Sequence, residues 1–408
     1  MRILIVTDSY PPETRSSSHL MKEMADGFKE HGHEVFVMTS RPSEHNVAVG
    51  TNVSAGVSKE DGITVIRANV LPHHNVGFVM KGISQVTLPY IFFRHIQKHI
   101  KGNIDFVWVH SPPLPLTITA ELVKRDYGAK YVLNLQDFFP QNAIDLGVLK
   151  NKFLIRFFRR MEERAYKNSD IIVTPSEAHK TFANKERGVS LQKMHVVPHW
   201  IDIKPFDEAE RTGKFRKLYG LENKFIFVFG GVLGPSQGLD MFIRIAEKLK
   251  KYKEIVFLFV GEGSEKKKLV ELAESKKLTN VVFKPLVSKE DYPWMLKDAD
   301  VGILSLTSAN TTPAVPAKLM GYMAAGLPVL AFLHERSDGV KIVQDAKCGL
   351  AGRSDDEQKM LELTEKMFLE KEKLNAYGKN AFNYVLNNFT KEVCLNKIEN
   401  ILRMAKTS

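Results

Sequence analysis

The 408-residue sequence predicts an α/β protein made of two doubly wound domains. Short runs of β-branched and aromatic residues alternate with longer segments of helical periodicity, a pattern that predicts βαβ units and parallel sheets. Two of these runs, 225–229 and 256–260, are apolar at every position, which is typical of strands covered on both faces. The length is roughly two and a half times that of a typical domain, so we expect two domains.

The predicted strands follow one another with a helical segment between most of them. In the first half they are residues 3–7, 34–39, 64–68, 106–110, 131–136 and 171–174. In the second half they are residues 225–229, 255–260, 281–285, 301–304 and 329–332. A short strand and a Pro turn precede the polar segment 204–224. We therefore predict domains at 1–203 and 204–385, with a last helix at 386–408 that packs back on the first domain.

Composition excludes several classes of protein. Hydrophobic residues make up 44% of the chain and charged residues 26%, which is typical of globular proteins and not of disordered chains. The two cysteines, Cys348 and Cys394, lack metal-ligand spacing and favour a reducing compartment. No window of about 20 uncharged apolar residues occurs, and the start does not resemble a signal peptide. We therefore expect a cytoplasmic protein.

The loops after strands are the candidate binding sites, because ligands of doubly wound folds bind at the carboxyl ends of the strands. The loop 230–238 follows strand 225–229 and contains Gly231, Gly234 and Gln237. Glycines there let backbone N–H groups approach a phosphate at a helix N-terminus. The alternative is a tight strand-to-helix turn without a ligand.

Two further loops in the second half also follow strands and could bind an anion. Gly261 and Glu262 follow strand 255–260, without the third glycine of a dinucleotide motif. The loop 311–318 opens a helix, with Pro316 near its first position and Lys318 in its first turn. Three such loops in one half favour an anion site.

These loops carry a resemblance to a known family. The second half resembles the donor domain of retaining GT-B glycosyltransferases of family four. The matching segments are 231–240, 259–263, 284–287 and 316–329, together with 10–13, 32–35 and 197–202 of the first half. Segments 110–113 and 137–141 resemble bacterial N-acetylfucosaminyl transferases of surface-polysaccharide assembly. The resemblance covers nearly the whole chain and implies two Rossmann-like domains facing a central cleft.

The chain departs from that family at four positions. The family usually has two glutamates separated by seven residues, and here these places fall on Pro313 and Gly321. Its usual Arg and Lys in the first donor loop correspond to Val232 and Gln237. In the family the second glutamate typically holds the donor ribose and the cations clamp the diphosphate. Recognition of both groups is therefore expected to differ here.

Lys318 is the leading catalytic candidate. Departure of a nucleoside diphosphate from a sugar leaves negative charge on the phosphate, which hydrogen-bond donors and cations stabilise. The helix start at Pro316 and Ala317 supplies backbone N–H groups, and Lys318 adds an ammonium. The alternative is a solvated lysine in the first turn.

Other residues of the second half are candidates for binding the donor. Ser308, Asn310 and Thr312 could contact it through hydroxyl or amide groups, or could simply form turns. The resemblance implies that the backbone at Lys284, Pro285 and Leu286 reads the base.

In the first domain, the candidates are Arg15, His110 and Asp137. Arg15 lies in the polar loop after the first strand and could touch the diphosphate, or be a surface arginine. His110 and Asp137 end neighbouring strands and could orient the acceptor; a packed histidine and a capping aspartate are the alternatives. The resemblance implies no metal and no other cofactor.

The net charge of +11 has a local origin in the first half: residues 151–200 carry +5 and residues 51–100 carry +3. Both regions contain basic segments with exposed-looking apolar and aromatic residues, at 150–167 and 76–100. Such segments are typical of helices that lie in a membrane interface. Ordinary helices packed on the sheet are the alternative.

We therefore predict an enzyme: a retaining glycosyltransferase. Its donor would be a nucleoside-diphosphate sugar, UDP-linked and with an N-acetylated deoxyhexosamine as a candidate sugar. Its acceptor would be a lipid-linked saccharide, such as one on polyprenyl diphosphate, at the inner face of the cell membrane. The alternative is a catalytically silent GT-B subunit that binds nucleotide or glycolipid. No nucleic-acid-binding motif is present, and no G-x-G-x-x-G follows the first strand, which disfavours a dehydrogenase.

Overall fold

The structure is a computed structural model. It describes residues 1–13, 15–42, 53–71, 78–145, 147–308, 312–334 and 336–407, without the side chains of residues 16, 78–83 and 85. Two compact units make up the chain: unit 1 is Met1–Val197 with Leu395–Ser408, and unit 2 is Pro198–Cys394. The first division lies six residues before the predicted boundary after 203, and the second lies nine residues after the one predicted after 385.

Unit 1 contains a central sheet. Its strands are β1 (Arg2–Val6), β2 (Glu34–Ser40), β3 (Gly56–Glu60), β4 (Ile63–Ala68), β5 (Phe106–Ser111), β6 (Lys130–Leu135), β7 (Ile171–Thr174) and β8 (Met194–Val196). Over the described residues their order is β3-β4-β2-β1-β5-β6-β7-β8. Neighbours pair in parallel except β3 and β4, which form an antiparallel pair. The strand order reverses between β1 and β5, where doubly wound folds bind ligands.

The described helices that lie between strands of unit 1 are α1 (Ser16–Glu30), α2 (Phe78–His99), α3 (Leu116–Tyr127), α4 (Gln141–Asp145), α5 (Lys152–Asn168) and α6 (Glu177–Arg187). Where such a helix connects two parallel strands, the crossover places the helix on a face of the sheet. One core cluster joins Leu4, Val107 and Leu133 of the sheet to Phe92 and Ile96 of α2.

Unit 2 repeats this plan. Its strands are β9 (Phe225–Gly230), β10 (Ile255–Val260), β11 (Val281–Lys284), β12 (Val301–Ser305), β13 (Val329–Leu333) and β14 (Gly349–Arg353). All are parallel, in the order β11-β10-β9-β12-β13-β14. Numbered from β9, this is the 3-2-1-4-5-6 order of a dinucleotide-binding fold, and the order reverses between β9 and β12.

The helices of the rest of the chain are α7 (Lys204–Asp207), α8 (Lys214–Tyr219), α9 (Asp240–Lys248), α10 (Lys266–Ser275), α11 (Tyr292–Lys297), α12 (Ala317–Ala324), α13 (Asp338–Asp345), α14 (Glu357–Leu369), α15 (Leu374–Asn388) and α16 (Lys391–Thr407). The predicted burial of strand 225–229 on both faces is confirmed. Ile226 and Val228 belong to one core cluster, and Phe227 and Phe229 belong to the cluster on the other face. The Phe227 ring stacks on Phe257 of β10, with the ring centroids 5.2 Å apart.

The end of α16 is part of unit 1. A Cβ on Gly27 of α1 would lie 2.2 Å from Cδ1 of Leu395, so glycine allows the close contact. Glu399 Oε2 lies 2.7 Å from Nε2 of His33.

Candidate active site

Two glycine loops lie side by side at the carboxyl ends of β9 and β10. The Gly231 N–H donates to the Val260 carbonyl at 2.8 Å, and the Leu233 N–H donates to the Glu262 carbonyl at 2.9 Å. A Cβ on Gly261 would lie 1.8 Å from the Gly231 carbonyl oxygen. Because no side chain fits there, glycine at 261 is required for the two loops to meet.

The two predicted glycines of the loop after β9, Gly231 and Gly234, differ in backbone conformation. Gly231 has a φ of +134°, a conformation that residues with a Cβ rarely adopt. Gly234 has a φ of −115°, and a Cβ there would lie at an ordinary 3.8 Å from Val232. The backbone therefore requires glycine at 231 but not at 234.

Lys318 reaches from α12 over this loop. The helix begins at Ala317 with Pro316 as its N-cap, one residue before the predicted helical position. Lys318 Nζ lies 3.4 Å from Gln237 Oε1 and 4.9 Å from the centroid of the Phe229 ring. A Cβ on Gly231 would lie 2.7 Å from Lys318 Cε. The structure thus brings the predicted Gly231, Gln237, Pro316, Ala317 and Lys318 together.

The Lys318 ammonium is partly desolvated in this position. Burial lowers the pKa of Lys318 below its ordinary value. A bound anion would offset this cost, because a nearby negative charge favours the protonated amine. The site is therefore suited to a phosphate.

Glu262 and Lys284 have partners of their own. The Glu262 carboxylate accepts a hydrogen bond from Lys266 Nζ of α10 at 2.6 Å. The Lys284 carbonyl accepts from the Gly261 N–H at 3.0 Å, and Lys284 Nζ lies 5.0 Å from the centroid of the Tyr219 ring. The residues that follow, Pro285 and Leu286, are exposed.

The loop between β12 and α12 is anchored near both ends. The Thr307 N–H donates to the Ser236 carbonyl at 2.9 Å, and the Ser337 hydroxyl donates to the Ala314 carbonyl at 2.6 Å. Ser308 is exposed and Thr312 is buried. The predicted residue Asn310 lies outside the described residues. The described ends of the loop are thus held beside the glycine loop and α13.

His110 is a buried hydrogen-bonding residue at the carboxyl end of β5. Its Nδ1 lies 3.2 Å from Asn134 Nδ2, and Asn134 Oδ1 accepts a hydrogen bond from Gln136 Nε2 at 2.5 Å. Because an amide nitrogen can only donate, His110 Nδ1 is the acceptor and Nε2 carries the ring proton. Burial lowers the pKa of His110, against the opposing effect of the Asp8 charge. The ring is therefore neutral near pH 7.

Arg15 and Asp137 occupy the same edge of the sheet. Arg15 Nη1 lies 3.7 Å from Oδ2 of the buried Asp8, so this arginine has a carboxylate neighbour within its own unit. Desolvation raises the pKa of the Asp137 carboxyl. The residue is exposed at the surface, so solvent screens much of that effect.

Sequence analysis missed three polar residues at this edge: Asp8, Asn134 and Gln136. Asn134 interrupts the otherwise apolar run 131–135, and a lone amide inside a buried strand is a detectable signal because it needs partners. Asp8 lies two residues after β1 and Gln136 directly follows β6, and both resemble ordinary loop residues. The contact of Asn134 with His110, in contrast, depends on the pairing of β5 with β6, which places the two residues side by side.

The two basic segments, 150–167 and 76–100, differ in how far their apolar residues are exposed. On α5, Phe153 is 86% exposed and Phe157 is 46% exposed, beside the exposed Arg156 and Arg160. On α2, three residues of the predicted apolar surface lie in the core instead: Leu88, Phe92 and Phe93. For these three the alternative of packing on the sheet is correct, because each fills the space between α2 and the strands.

The described residues contain neither a membrane-spanning helix nor a cluster of metal ligands. None of the described helices is long and apolar enough to cross a membrane. Within the same part of the chain, no group of three or more His, Cys, Asp or Glu residues is placed to hold a metal ion.

The strand order and the converging loops define a two-domain α/β protein whose second unit has the strand order of dinucleotide-binding folds. Residues 18–200 match the family model of the glycosyl transferase 4-like domain, and residues 211–384 match that of glycosyl transferases group 1. The chain belongs to the group 1 glycosyltransferases, and the prediction of an enzyme of this class is confirmed.

Several named proteins are similar to this chain. It is 26% identical over 336 residues to the colanic acid biosynthesis glycosyl transferase WcaI of Escherichia coli K12, covering 80% of this chain and 82% of that protein. It is 22% identical to the alpha-monoglucosyldiacylglycerol synthase of Acholeplasma laidlawii, covering 88% and 86%. It is 24% identical to the UDP-Gal:alpha-D-GlcNAc-diphosphoundecaprenol alpha-1,3-galactosyltransferase of Escherichia coli, covering 56% and 58%.

Solved structures share the fold. HepE of Anabaena in complex with UDP matches with a TM-score of 0.72 at 14% identity, covering 99% of this chain and 100% of that one. Sucrose-phosphate synthase of Thermosynechococcus elongatus matches with a TM-score of 0.74 at 12% identity, covering 99% of both chains. The predicted GT-B fold with two Rossmann-like domains is confirmed.

Proposed function

We propose that this glycosyltransferase acts with retention of configuration on a UDP-linked sugar and a lipid-linked saccharide acceptor. The observation that carries the proposal is the Lys318 ammonium at the start of α12, held against Gly231 and Gln237. The complex of HepE with UDP supports the choice of nucleotide. Relatives named for diphosphoundecaprenol and diacylglycerol products or acceptors support the choice of a lipid-linked acceptor.

In the proposed reaction, the donor diphosphate occupies the loop after β9 and the start of α12. The bond between the anomeric carbon and the diphosphate oxygen breaks, the acceptor hydroxyl oxygen bonds to the same face of that carbon, and the hydroxyl proton passes to the leaving diphosphate. The negative charge that develops on the diphosphate is stabilised by Lys318 and the N–H groups of the first helical turn. These groups stand in fixed positions before the reaction, so little reorganisation is needed. Gln237, which accepts a hydrogen bond from Lys318 Nζ, orients the ammonium.

In unit 1, His110 and Asp137 are proposed to position the acceptor. The neutral His110 ring offers its Nε2–H as a hydrogen-bond donor because Asn134 occupies Nδ1. Asp137 is exposed at the same sheet edge and can accept from a sugar hydroxyl. Arg15, beside Asp8, remains a proposed diphosphate contact.

The proposed location is the inner face of the cell membrane. The exposed Phe153 and Phe157, with the adjacent arginines of α5, form a surface of the kind that binds the interface of an anionic bilayer. Segment 76–100 is proposed to contribute through Val86 and Tyr90, two exposed residues among the described side chains of α2. A lipid-linked acceptor would be reached from that surface.

A transfer assay with purified protein tests the proposal. The donors are UDP-glucose, UDP-galactose, UDP-N-acetylglucosamine and UDP-N-acetylfucosamine, because segments 110–113 and 137–141 resemble N-acetylfucosaminyl transferases. The acceptors are short polyprenyl-diphosphate saccharides. We expect transfer with one donor and full activity in EDTA. From a donor with an axial anomeric bond, NMR should show an axial anomeric bond in the product. An inverted product or loss of activity in EDTA would refute retention or metal independence. UDP binding with zero turnover across the panel would favour the silent subunit.

A further inference from the structure

A space with few described atoms lies beside Gly321, a buried residue in the second turn of α12. Outside its own helix backbone, a Cβ on this residue would have two described neighbours within 4 Å, both from Tyr292. They are the ring carbon Cε1 at 3.5 Å and the hydroxyl oxygen at 3.7 Å. Residue 321 therefore borders a space that a phenol hydroxyl lines.

The Tyr292 hydroxyl also lies close to the end of β9. A Cβ on Gly230 would be 2.9 Å from Tyr292 Cε2 and 3.6 Å from the Tyr292 hydroxyl. The Gly230 N–H itself donates to the Tyr322 hydroxyl at 3.3 Å. Tyr292 thus lies at the carboxyl end of β9, where the strand order reverses. It is also beside Gly321, which follows Lys318 by three residues on α12.

The Tyr292 phenol is a hydrogen-bond donor without a described protein acceptor. The ring is half-buried and packs on a core cluster. Among the described residues, no hydrogen bond to its hydroxyl occurs. Desolvation raises the pKa of Tyr292, so the phenol keeps its proton and stays neutral. A half-buried donor of this kind is available to an oxygen of a ligand.

We propose that Tyr292 donates a hydrogen bond to the nucleoside diphosphate of the donor, in the space beside Gly321. The ligand is an oxygen-rich anion, because the same helix presents Lys318 and the N–H groups of its first turn. A neutral phenol can bind such an oxygen without adding negative charge to the site. The inference rests on the proposed function, since it takes UDP as the nucleotide. Tyr292 is a binding residue here and takes no part in proton transfer.

Calorimetric titration with UDP tests this assignment in the full chain. Tyr292→Phe removes one oxygen and keeps the ring packing, so we expect about tenfold weaker UDP binding with an unchanged Tm. Gly321→Ala should raise Tm by about 2–4 °C, because alanine favours a helix interior. It should nevertheless weaken UDP binding, since the methyl group enters the space. Tyr384→Phe is the matched control, because Tyr384 is a half-buried phenol on α15. This variant should leave UDP binding unaltered.

The possible outcomes separate the inference from the proposed function. Weaker UDP binding by both variants at intact Tm supports the assignment. Wild-type affinity in Tyr292→Phe, with the unaltered chain binding UDP, overturns the inference alone. A gain in Tm for Gly321→Ala without loss of affinity shows that the ligand does not enter the space and overturns it as well. Failure of the unaltered chain to bind UDP overturns both the choice of UDP and the inference.

Discussion

Replacing Lys318 by methionine removes one positive charge while keeping a stem of similar length. That stem packs over Gly231 and beside the Phe229 ring, so Lys318→Met separates the charge from the packing. Loss of a single preorganised group that stabilises leaving-group charge costs about 2.7–4 kcal/mol of activation free energy, or roughly a hundredfold to a thousandfold in kcat. We expect kcat to fall by that factor.

Although Lys318→Met should lower kcat, we expect it to leave the stability of the fold unchanged or to raise it. Burial lowers the pKa of Lys318, so near that lowered pKa the folded chain binds fewer protons than the unfolded chain. Stability is then reduced at neutral pH, and it is regained only as the pH rises through the folded-state pKa towards the unfolded value. A neutral methionine removes this cost. The Tm of Lys318→Met at pH 7 should therefore equal or exceed that of the unaltered chain.

The assay is donor turnover at saturating UDP-sugar, with Tm measured on the same preparations. Lys341→Met is the control, because Lys341 is an exposed lysine of unit 2 that pairs with Asp345. A kcat within threefold of the unaltered chain would refute leaving-group stabilisation by Lys318. A fall in kcat accompanied by a large fall in Tm would show that the effect is structural.

Four further predictions address the loops, the histidine network and the membrane surface. Gly261→Ala should lower the free energy of unfolding by about 2 kcal/mol or more, measured by urea denaturation, because its Cβ would clash with a backbone oxygen. Asn134→Leu should lower kcat about tenfold by freeing the tautomer of His110. The unaltered chain should show no loss of kcat between pH 7 and 9 from His110, since burial lowers its pKa. Phe153→Ser with Phe157→Ser should reduce binding to anionic vesicles about tenfold or more in sedimentation assays.

The strands of unit 2 were predictable because their residues are apolar on both faces. A run such as 225–229 has no polar side to expose, so only the centre of an α/β sandwich accommodates it. The hairpin of β3 and β4 was only half predicted, because Gly56–Glu60 carries the polar composition of a loop. The edge strand β14 was missed for a similar reason, since two of the five residues in Gly349–Arg353 are glycine.

Most residues of the candidate site were predicted, but most of their contacts were not, because the contacting residues are far apart in the sequence. Gly231, Gln237 and Lys318 were all named from their loops, but the 3.4 Å contact of Lys318 with Gln237 joins positions 81 residues apart. The Glu262 carboxylate, equally plausible from its loop, turned out to pair with Lys266 four residues on. Local sequence gives the loop and the residue type, whereas the partner depends on which side chains fold nearby.

The sequence alone determined the class of fold, the order of most strands and helices, and the loops that are proposed to bind the donor. These properties follow from periodicity and from glycine and proline chemistry, which act over a few residues. Only the tertiary structure decided that Gly261 must be glycine, that Asn134 sets the tautomer of His110, and that Tyr292 faces Gly321. Each of these depends on a distance between atoms far apart in the chain, and parallel sheets create such distances by bringing the ends of separate strands to one edge.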